Sequence, residues 1–401
     1  MTQPENSAML LTGRRSGRCP FEPAPELNAL REREDIPRLS GEHPMFGPFE
    51  VCAITRYGDV RAAFGHEHAE SGQGVDPDPD APRTLFNQPG FLLNYNGPEH
   101  ARLRRMLTSA FTVRRLQRMR PWIEQIVEDR LDEIAQAGPT VDLVQEFALP
   151  IPSLVICELL GVPYADRAQF QHQSAVLLDL TKTAQEQLDN YAAMHAYMAK
   201  LVATLRAEPG ESVLGSVIQE QGDELTDEEL VGFGNLLLIA GHETTSNMIA
   251  LSTLVLLRNP DQLAAVRDDD TVTNSAVEEL LRYLSIVTQL NRRAVEDIDL
   301  NGRRIDAGEQ LSLSVLAANQ DRELVGDDAG LNVRRKPVAH LTFGFGPHQC
   351  LGQQLARIEL RVALPALLRR FPTLRLAVPF EEVDFRVFSP VYGLKSLPLT
   401  W

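Results

Sequence analysis

The sequence predicts a mainly α-helical fold with a minor β part, formed as a single domain over residues 1–401. Three observations support this prediction. Most of the segment 98–284 shows helical periodicity, and its middle contains one apolar helix of unusual length. Short alternating runs at 292–316 and 374–399 are typical of strands and turns. A long apolar helix must be buried along its whole circumference, which indicates one large core.

Composition and charge exclude several classes of protein. Hydrophobic residues make up 43% of the 401 residues and charged residues 23%, as in a globular protein with a large core. The net charge of −16 repels phosphate backbones, so we expect no nucleic-acid partner. No run of 18 apolar residues and no signal-peptide core occur, and the four cysteines are scattered without paired spacing. We therefore expect a cytoplasmic protein without disulfides or membrane insertion, with residues 1–20 disordered.

The N-terminal region combines short elements with one long loop. A helix is expected over 23–35, a strand over 48–55, and a further short helix from Tyr57. Residues 66–96 are rich in Gly, Pro and Asp, and a loop of that length inside a compact protein is usually a lid or a binding segment. The alternative is a mobile surface insertion.

A series of helices follows this loop. Helical patterns cover 98–131, with an interruption expected near Pro121, and then 145–160, 164–180 and 183–207. Residues 226–229 form a capping box, which predicts a helix from there to Leu257, roughly 30 residues or ~45 Å long. A further helix is expected over 275–284.

Residues 343–352 read FGFGPHQCLG and are followed by a helical pattern. Glycines let this backbone turn tightly and approach a flat ligand, and Pro347 stiffens the turn. Cys350 lies just before a helix N-terminus, where unpaired N–H groups and the helix dipole stabilise a thiolate, and His348 can donate to an anion beside it. A thiolate held in this way is a good axial ligand for haem iron. The alternative is a buried cysteine in a Gly-rich turn.

This loop resembles the haem-binding signature of the cytochrome P450 family, F-G-x-G-x-H-x-C-x-G, at all six fixed positions. Other motifs of the family occur in the expected order: a C-helix entry at 97–104, AGHETT at 240–245, E-x-x-R at 279–282 and R-x-A-x-E-D at 292–297. The chain is most similar to the soluble bacterial class, in the branch that modifies natural products. The resemblance implies the cytochrome P450 fold, with haem b between the long central helix and the helix after the cysteine.

The long helix carries a second candidate site. Ala240, Gly241 and Thr244 share one helical face by their spacing, and the two small residues would make room over the iron. Thr244 brings a hydroxyl to that space and Glu243 an acid, a pair that can relay protons to reduced oxygen. The resemblance places the catalytic acid–alcohol pair on these two residues, and we expect His242 to be structural. The alternative is a helix kink in which Thr244 bonds back to a carbonyl while Glu243 is solvated.

Haem propionates need cationic or donor partners. His100 and Arg104 are four residues apart on one helical face, and the resemblance assigns them this role together with His348 and Arg292. Arg293 competes with Arg292, but successive strand residues point to opposite faces, so only one of them can reach the haem. The residues expected to contact haem are His100, Arg104, Ala240, Gly241, Arg292, Phe343, Gly344, His348, Cys350 and Gly352, with Cys350 as the metal ligand.

Glu279 and Arg282 lie three apart on a helix and are expected to form a structural ion pair. In the family this pair binds a third arginine, which by counting back from the cysteine loop should fall at Gly330. Arg334 and Arg335 are close but out of register, so the third member stays open.

An arginine patch stands out on this acidic chain. Its members are Arg102, Arg105, Arg114, Arg115, Arg118, Arg357 and Arg361. The resemblance places both helices beside the sulfur, which favours docking of an acidic ferredoxin supplied by a ferredoxin reductase. The alternative is an ordinary solvated helix face. No flavin or nucleotide fingerprint is present, so electrons must come from a partner.

The predicted function is a haem-thiolate monooxygenase that inserts one oxygen atom from O₂, by hydroxylation or epoxidation, into a mid-sized or large apolar substrate. The resemblance points to a macrolide or related polyketide. The alternatives are a haem-binding sensor or carrier without turnover, and a nitric-oxide-reducing relative, which lacks the acid–alcohol pair. The predicted apolar pocket walls are Phe86, Phe91, Leu92, Phe233, Leu237, Ile286, Val287, Phe388 and Val391.

Overall fold

A computed structural model describes residues 13–17, 19–43, 47–72, 84, 87–166, 173, 176, 182–386 and 389–401. In chain order the helices are α1 Pro25–Glu32, α2 Tyr57–Gly65, α3 Gly97–Thr108, α4 Val113–Ala137, α5 Pro150–Leu160, α6 Ala184–Ala207, α7 Val213–Gln221, α8 Asp227–Gly241, α9 Glu243–Leu257, α10 Pro260–Asp268, α11 Thr273–Leu284, α12 Val315–Ala318, α13 Arg322–Val325 and α14 Gln353–Arg370.

The strands are short, as the sequence predicted. They are β1 Arg38–His43, β2 Gly47–Ile54, β3 Ala69–Glu70, β4 Thr140–Asp142, β5 Gln289–Ala294, β6 Ile298–Asp299, β7 Arg304–Ile305, β8 Gln310–Ser314, β9 Arg375–Leu376, β10 Phe385–Arg386, β11 Gly393–Leu394 and β12 Pro398–Thr400. The prediction of a mainly helical fold with a minor β part is therefore confirmed. None of the described helices combines the length and the apolar composition needed to cross a bilayer.

The chain divides into two compact units. Unit 1 comprises residues 1–72 and 274–350, and unit 2 comprises residues 73–273 and 351–401. The expectation of one domain over 1–401 stays a prediction. Within the expected disordered segment, Arg15 donates to the carbonyls of Phe21 and Ser285, whereas residues 1–12 and 18 lie outside the described residues.

Unit 1 is built on a sheet of order β1-β2-β8-β5-β3, in which β2 and β8 are parallel. Cys52 and Ile54 of β2 pair with Leu311 and Leu313 of β8, and all four side chains are buried. These residues join one hydrophobic cluster with Phe64 of α2. The cluster holds α2 against the sheet, which matters because α2 supports the cysteine loop described below.

Unit 2 contains the long helices. The predicted capping box is present, with Thr226 and Glu229 opening α8. A second capping box, which was not predicted from the sequence, is formed by Thr183 and Glu186 at the start of α6. Two glycines of α8 allow close packing, because a Cβ at Gly232 would overlap the carbonyl of Pro89 and one at Gly234 would overlap Met198 of α6. The small sheets β4-β12-β9 and β10-β11 complete the unit.

The central helix is not continuous, and this corrects the prediction of one helix from 226 to 257. It ends at Gly241 and restarts at Glu243, with His242 at φ −100° between α8 and α9. The hydroxyl of Thr244 donates to Ala240 O at 2.8 Å, and that of Thr245 donates to Gly241 O at 3.4 Å. Side-chain donors therefore bond the carbonyls at the junction, a known cause of helix bending.

The expected interruption at Pro121 is also wrong. Pro121 lies inside α4, and the break falls earlier, at the 3₁₀ turn Ser109–Phe111. A proline removes only its own backbone donor, and α4 offsets that loss by burying Leu116, Ile123 and Val127 along one stripe.

Candidate active site

The cysteine loop of unit 1 is shaped by glycine conformations. Gly344 has φ +67° and Gly346 has φ +75°, in the left-handed region that side chains disfavour. A Cβ at Gly346 would also lie only 2.7 Å from Phe64 O of α2. The turn closes where Cys350 N donates to Phe343 O at 2.9 Å, and it leaves Cys350 exposed. The loop therefore presents its thiol outward from a rigid turn.

Contacts with α2 fix the position of this loop. The Phe345 ring is 3.5 Å from where a Cβ of Gly65 would lie, and the Arg61 guanidinium stands 4.2 Å above the centre of the same ring. A cation over an aromatic face is attracted by the ring quadrupole. The loop is thus packed on one side and accessible at Cys350 on the other.

Arg292 on β5 is a buried cation in unit 1. The residue is 6% exposed, and burial lowers the pKa of its guanidinium to about 10. Its Cζ lies 5.4 Å from the centre of the Phe64 ring, so it reaches the same helix that supports the cysteine loop. Within the described ranges its Nε has no hydrogen-bond partner and no carboxylate pairs with it. Arg293 is exposed, as the strand alternation predicts.

A buried cation without a carboxylate is costly unless an anion reaches it. Arg292 therefore fits an anionic group that belongs to a bound ligand, such as a haem propionate. On α3 in unit 2, His100 is buried and Arg104 half-buried, four residues apart on one face. His348 is half-buried, two residues before Cys350 in the loop.

The structural ion pair of unit 1 has its third member. Arg282 is fully buried and donates from Nε and Nη2 to the two oxygens of Glu279, at 2.8 and 2.7 Å. Arg335 donates from Nε to Glu279 Oε1 at 3.1 Å. Gly330 contributes its carbonyl, which accepts from Arg282 and Arg335 at 3.1 Å each. Arg335 is therefore the third arginine of this cluster. Counting back from the cysteine loop missed it because the count assumed a fixed number of residues between the two.

The junction between α8 and α9 places Ala240, Gly241 and Thr244 together in unit 2. Ala240 is exposed and Thr244 half-buried, whereas the preceding residues 230–239 are all buried. Gly241 is also needed for packing, because a Cβ there would lie 2.8 Å from Ile156 Cδ1 of α5. The accessible face of the junction is thus formed by Ala240 and the Thr244 hydroxyl.

Glu243 is buried at this junction and ion-paired. Its Oε2 accepts from Arg386 Nη1 at 2.9 Å and from Asn247 Nδ2 at 3.4 Å, while its Oε1 lies 3.8 Å from His242 Nε2. Burial holds the pKa of His242 below its usual range. The kink alternative is therefore half right: Thr244 does bond back to a carbonyl, but Glu243 is paired rather than solvated. No sequence motif pointed to Arg386 or Asn247.

The predicted pocket residues are only partly described. Phe86 and Phe388 lie outside the described residues. In unit 2, Phe91, Leu92, Leu237 and Val391 are buried with small exposed fractions, and Phe233 has no exposed surface at all. In unit 1, Ile286 is buried and Val287 half-buried. Their assignment as pocket walls stays a prediction.

The loop 66–96 is described at its two ends. Its centre, residues 73–83 with 85 and 86, lies outside the described part. The C-terminal end is anchored in unit 2, where Gln88 donates to Glu228 O of α8 at 3.1 Å and accepts from the Tyr191 hydroxyl of α6 at 2.8 Å. A Cβ at Gly90 would overlap the backbone of Glu229. The interpretation as a lid stays a prediction for the centre of the loop.

Two members of the predicted arginine patch, Arg102 and Arg115, have partners within unit 2. Arg102 pairs with Glu99 and Glu229, and Arg115 donates to Glu211 O at 3.1 Å and Ser216 Oγ at 3.0 Å. The remaining patch members on α3 and α4, which are Arg105, Arg114 and Arg118, are exposed. Arg357 and Arg361 are half-buried on α14, which packs against α4.

Comparisons with known proteins cover nearly the whole chain. The family model described as Cytochrome P450 matches residues 44–208 and 204–378. The chain is 44% identical to Cytochrome P450-SU2 of Streptomyces griseolus, covering 98% of this chain and 97% of that protein. It is 41% identical to Vitamin D3 dihydroxylase of the same organism, covering 96% and 95%. The crystal structure of CYP105P1 in complex with filipin I is similar at a TM-score of 0.88 and 38% identity, covering 97% and 98%.

Proposed function

The chain belongs to the cytochrome P450 family, and from this premise we propose which of its residues perform the reaction and on which class of substrate. The family assignment and the predicted helical fold are thereby confirmed. The protein is a monooxygenase and its cofactor is haem b. The residues and the substrate named below are proposals.

Cys350 would bind the haem iron through its sulfur. Its thiol is exposed on a rigid turn just before α14, whose N-terminal N–H groups and dipole favour the thiolate. Phe343, Gly344, Gly352, Ala240 and Gly241 would contact the haem. The propionates are held by Arg292, His100, Arg104 and His348. The observation that carries the propionate assignment is that Arg292 is a buried cation with no carboxylate partner among the described residues.

Glu243 and Thr244 move protons in the reaction. The bound haem supplies the iron that activates O₂. The Thr244 hydroxyl donates to Ala240 O, which leaves its lone pairs to accept a hydrogen bond on the accessible side of the junction. Glu243 is the carboxyl group next to it: it takes up a proton from water and then gives it to the hydroxyl, which replaces the proton that the hydroxyl passes on.

The substrate is a mid-sized or large, mostly apolar molecule, and a macrolide or related polyketide fits best. Apolar walls such as Leu92, Leu237 and Val391 bind by contact area and need few polar groups. The relatives named for vitamin D3 and crystallised with filipin I support this class. The test is a ligand panel read by the haem Soret shift. Tight binding of macrolides, terpenoids or sterols is expected, and a response confined to small polar acids would contradict it.

The electron donor is an acidic ferredoxin, itself reduced by a ferredoxin reductase, in the cytoplasm. The net charge of the chain is −16, but three arginines are exposed close together in its sequence: Arg105, Arg114 and Arg118. They provide local positive charge that an acidic partner can recognise. All four cysteines are thiols, which fits a reducing compartment. The test is the rate at which a ferredoxin reduces the protein. A rapid reduction whose rate falls with added salt supports this donor.

A further inference from the structure

The C-terminal hairpin of β10 and β11 is attached to α9 next to Glu243. A Cβ at Gly393 would overlap the Asn247 side-chain oxygen, so only a glycine lets β11 approach so closely. Leu394 N donates to the same oxygen at 3.3 Å, and Asn247 Nδ2 donates to Glu243 O at 2.8 Å. The hairpin and the start of α9 are therefore held in one fixed arrangement within unit 2.

From the other strand of this hairpin, Arg386 reaches the Glu243 carboxylate. Its Nη1 lies 2.9 Å from Oε2, and the side chain of Glu243 is 3% exposed while that of Arg386 is 25% exposed. In the described part of the chain, the only other titratable group within 4 Å of this carboxylate is His242. Because burial keeps His242 neutral, Arg386 is the cation that balances Glu243.

The two oxygens of Glu243 have different surroundings. Oε2 is bonded by Arg386 and Asn247, whereas Oε1 faces His242 Nε2 at 3.8 Å, which is too long for a hydrogen bond. His242 Nδ1 lies 3.2 Å from Leu238 O, and a carbonyl only accepts, so Nδ1 carries the ring proton and Nε2 a lone pair. Oε1 thus has no donor in the described structure and is the oxygen able to take up a proton.

We propose that Arg386 is a positioning residue for the proton relay: it keeps Glu243 ionised at rest by binding Oε2, and it leaves Oε1 to take up a proton from water and release it to the Thr244 hydroxyl. This inference rests on the proposed role of Glu243 in the relay. The physical reason is that burial without a partner favours the neutral carboxylic acid, and the guanidinium offsets this. Arg386 acts through Glu243 and is not itself a catalytic residue.

The test is infrared spectroscopy of the substrate-free protein at pH 7, which does not depend on turnover. Arg386→Met should add the absorption of a protonated carboxyl group, and the double variant Arg386→Met/Glu243→Gln should lose it. Arg386→Lys keeps a cation and should resemble the wild type, as should Arg375→Met, which removes an exposed arginine from β9. Glu359, whose pKa burial raises to about 8, contributes the same absorption to every variant and cancels in the differences.

Absence of the added band in both Arg386→Met and Arg386→Gln would overturn the proposal, and the second variant serves if the first fails to fold. With the band present, product formed per NADPH should fall in Arg386→Met and recover in Arg386→Lys. If the band appears but coupling is normal in both Arg386→Met and Glu243→Gln, the hold of Arg386 on Glu243 stands and the relay role of Glu243 is refuted.

Discussion

Arg335 donates from Nε to Glu279 Oε1 at 3.1 Å, the same oxygen that Arg282 Nη2 binds at 2.7 Å. Glu279 and Arg282 are buried, and Arg335 is shielded at the edge of the cluster with its side chain 14% exposed. One carboxylate thus joins two guanidinium groups and, through them, the carbonyls of the segment before the cysteine loop. The cluster ties α11 to that segment within unit 1.

Arg335→Met should destabilise the protein by on the order of 2–4 kcal/mol, because it removes one partner from a largely buried charge cluster. The matched control is Arg334→Met, which changes the exposed neighbour. Thermal unfolding and haem retention after gel filtration measure the effect. Equal unfolding midpoints for the two variants would show that the contact with Glu279 contributes nothing to stability.

Thr244→Ala should leave haem binding and the substrate-induced Soret shift intact while more of the consumed NADPH appears as hydrogen peroxide. The reason is that the hydroxyl which passes the proton is gone, whereas the packing of the junction is unchanged. Thr245→Ala is the control, since this neighbour makes a similar bond to Gly241 O but is buried. The ratio of product to NADPH decides, and an unchanged ratio in Thr244→Ala removes this residue from the relay.

The sequence predicted the elements that follow local rules. The capping box at Thr226, the strand alternation that separates Arg292 from Arg293, and the family itself needed only residues close together in the chain. The break at His242 was missed because hydrophobic periodicity continues through it. That the Thr244 hydroxyl bonds back to a carbonyl was visible only as an alternative, and the bond of Thr245 to Gly241 O was not foreseen.

Contacts between distant residues could not be predicted. Arg335 reaches Glu279 across 56 positions and Arg386 reaches Glu243 across 143, and no spacing rule fixes either distance. The partners of Arg115 in the arginine patch could not be predicted for the same reason. Arg115 is bonded to residues of the segment before and within α7, about a hundred positions away, and nothing near it in the chain indicates this.

Reversing the exposed arginines should slow electron delivery. Arg105→Glu with Arg118→Glu places two negative charges where an acidic ferredoxin is expected to dock, and the association rate should fall at least tenfold at low salt. Arg375→Glu, on an exposed strand outside the patch, makes a comparable change of charge and is the control. Stopped-flow reduction at several salt concentrations measures the rate. Rates that equal the wild type and ignore salt would exclude the patch as a docking site.

Glu359 predicts a pH dependence of stability. It is buried in α14, its Oε2 has no hydrogen-bond partner among the described residues, and burial raises the pKa of its carboxyl to about 8. A carboxyl group whose pKa is raised by folding keeps its proton in the folded state but loses it on unfolding. The contribution of Glu359 to the free energy of unfolding is therefore greatest at pH values below the ordinary pKa of a carboxyl group. It falls as the pH rises from there towards about 8.

Glu359→Gln removes this titration, so its stability relative to the wild type should improve by up to a few kcal/mol between about pH 5 and about pH 8. Urea unfolding of the two proteins at several pH values provides the measurement. Glu381→Gln, which changes an exposed carboxyl, should show no such trend. A constant difference between Glu359→Gln and the wild type over this range would mean that Glu359 is ionised in the folded protein.

The central claim is that Cys350 is the thiolate ligand of the haem iron, and the carbon monoxide complex of the reduced protein tests it most directly. The wild type should show the red-shifted Soret band of thiolate-ligated haem, and Cys350→Ser should lack it. Cys19→Ser and Cys157→Ser should both keep it, because neither thiol lies in the loop. A Cys350→Ser protein that retains this band would contradict the account.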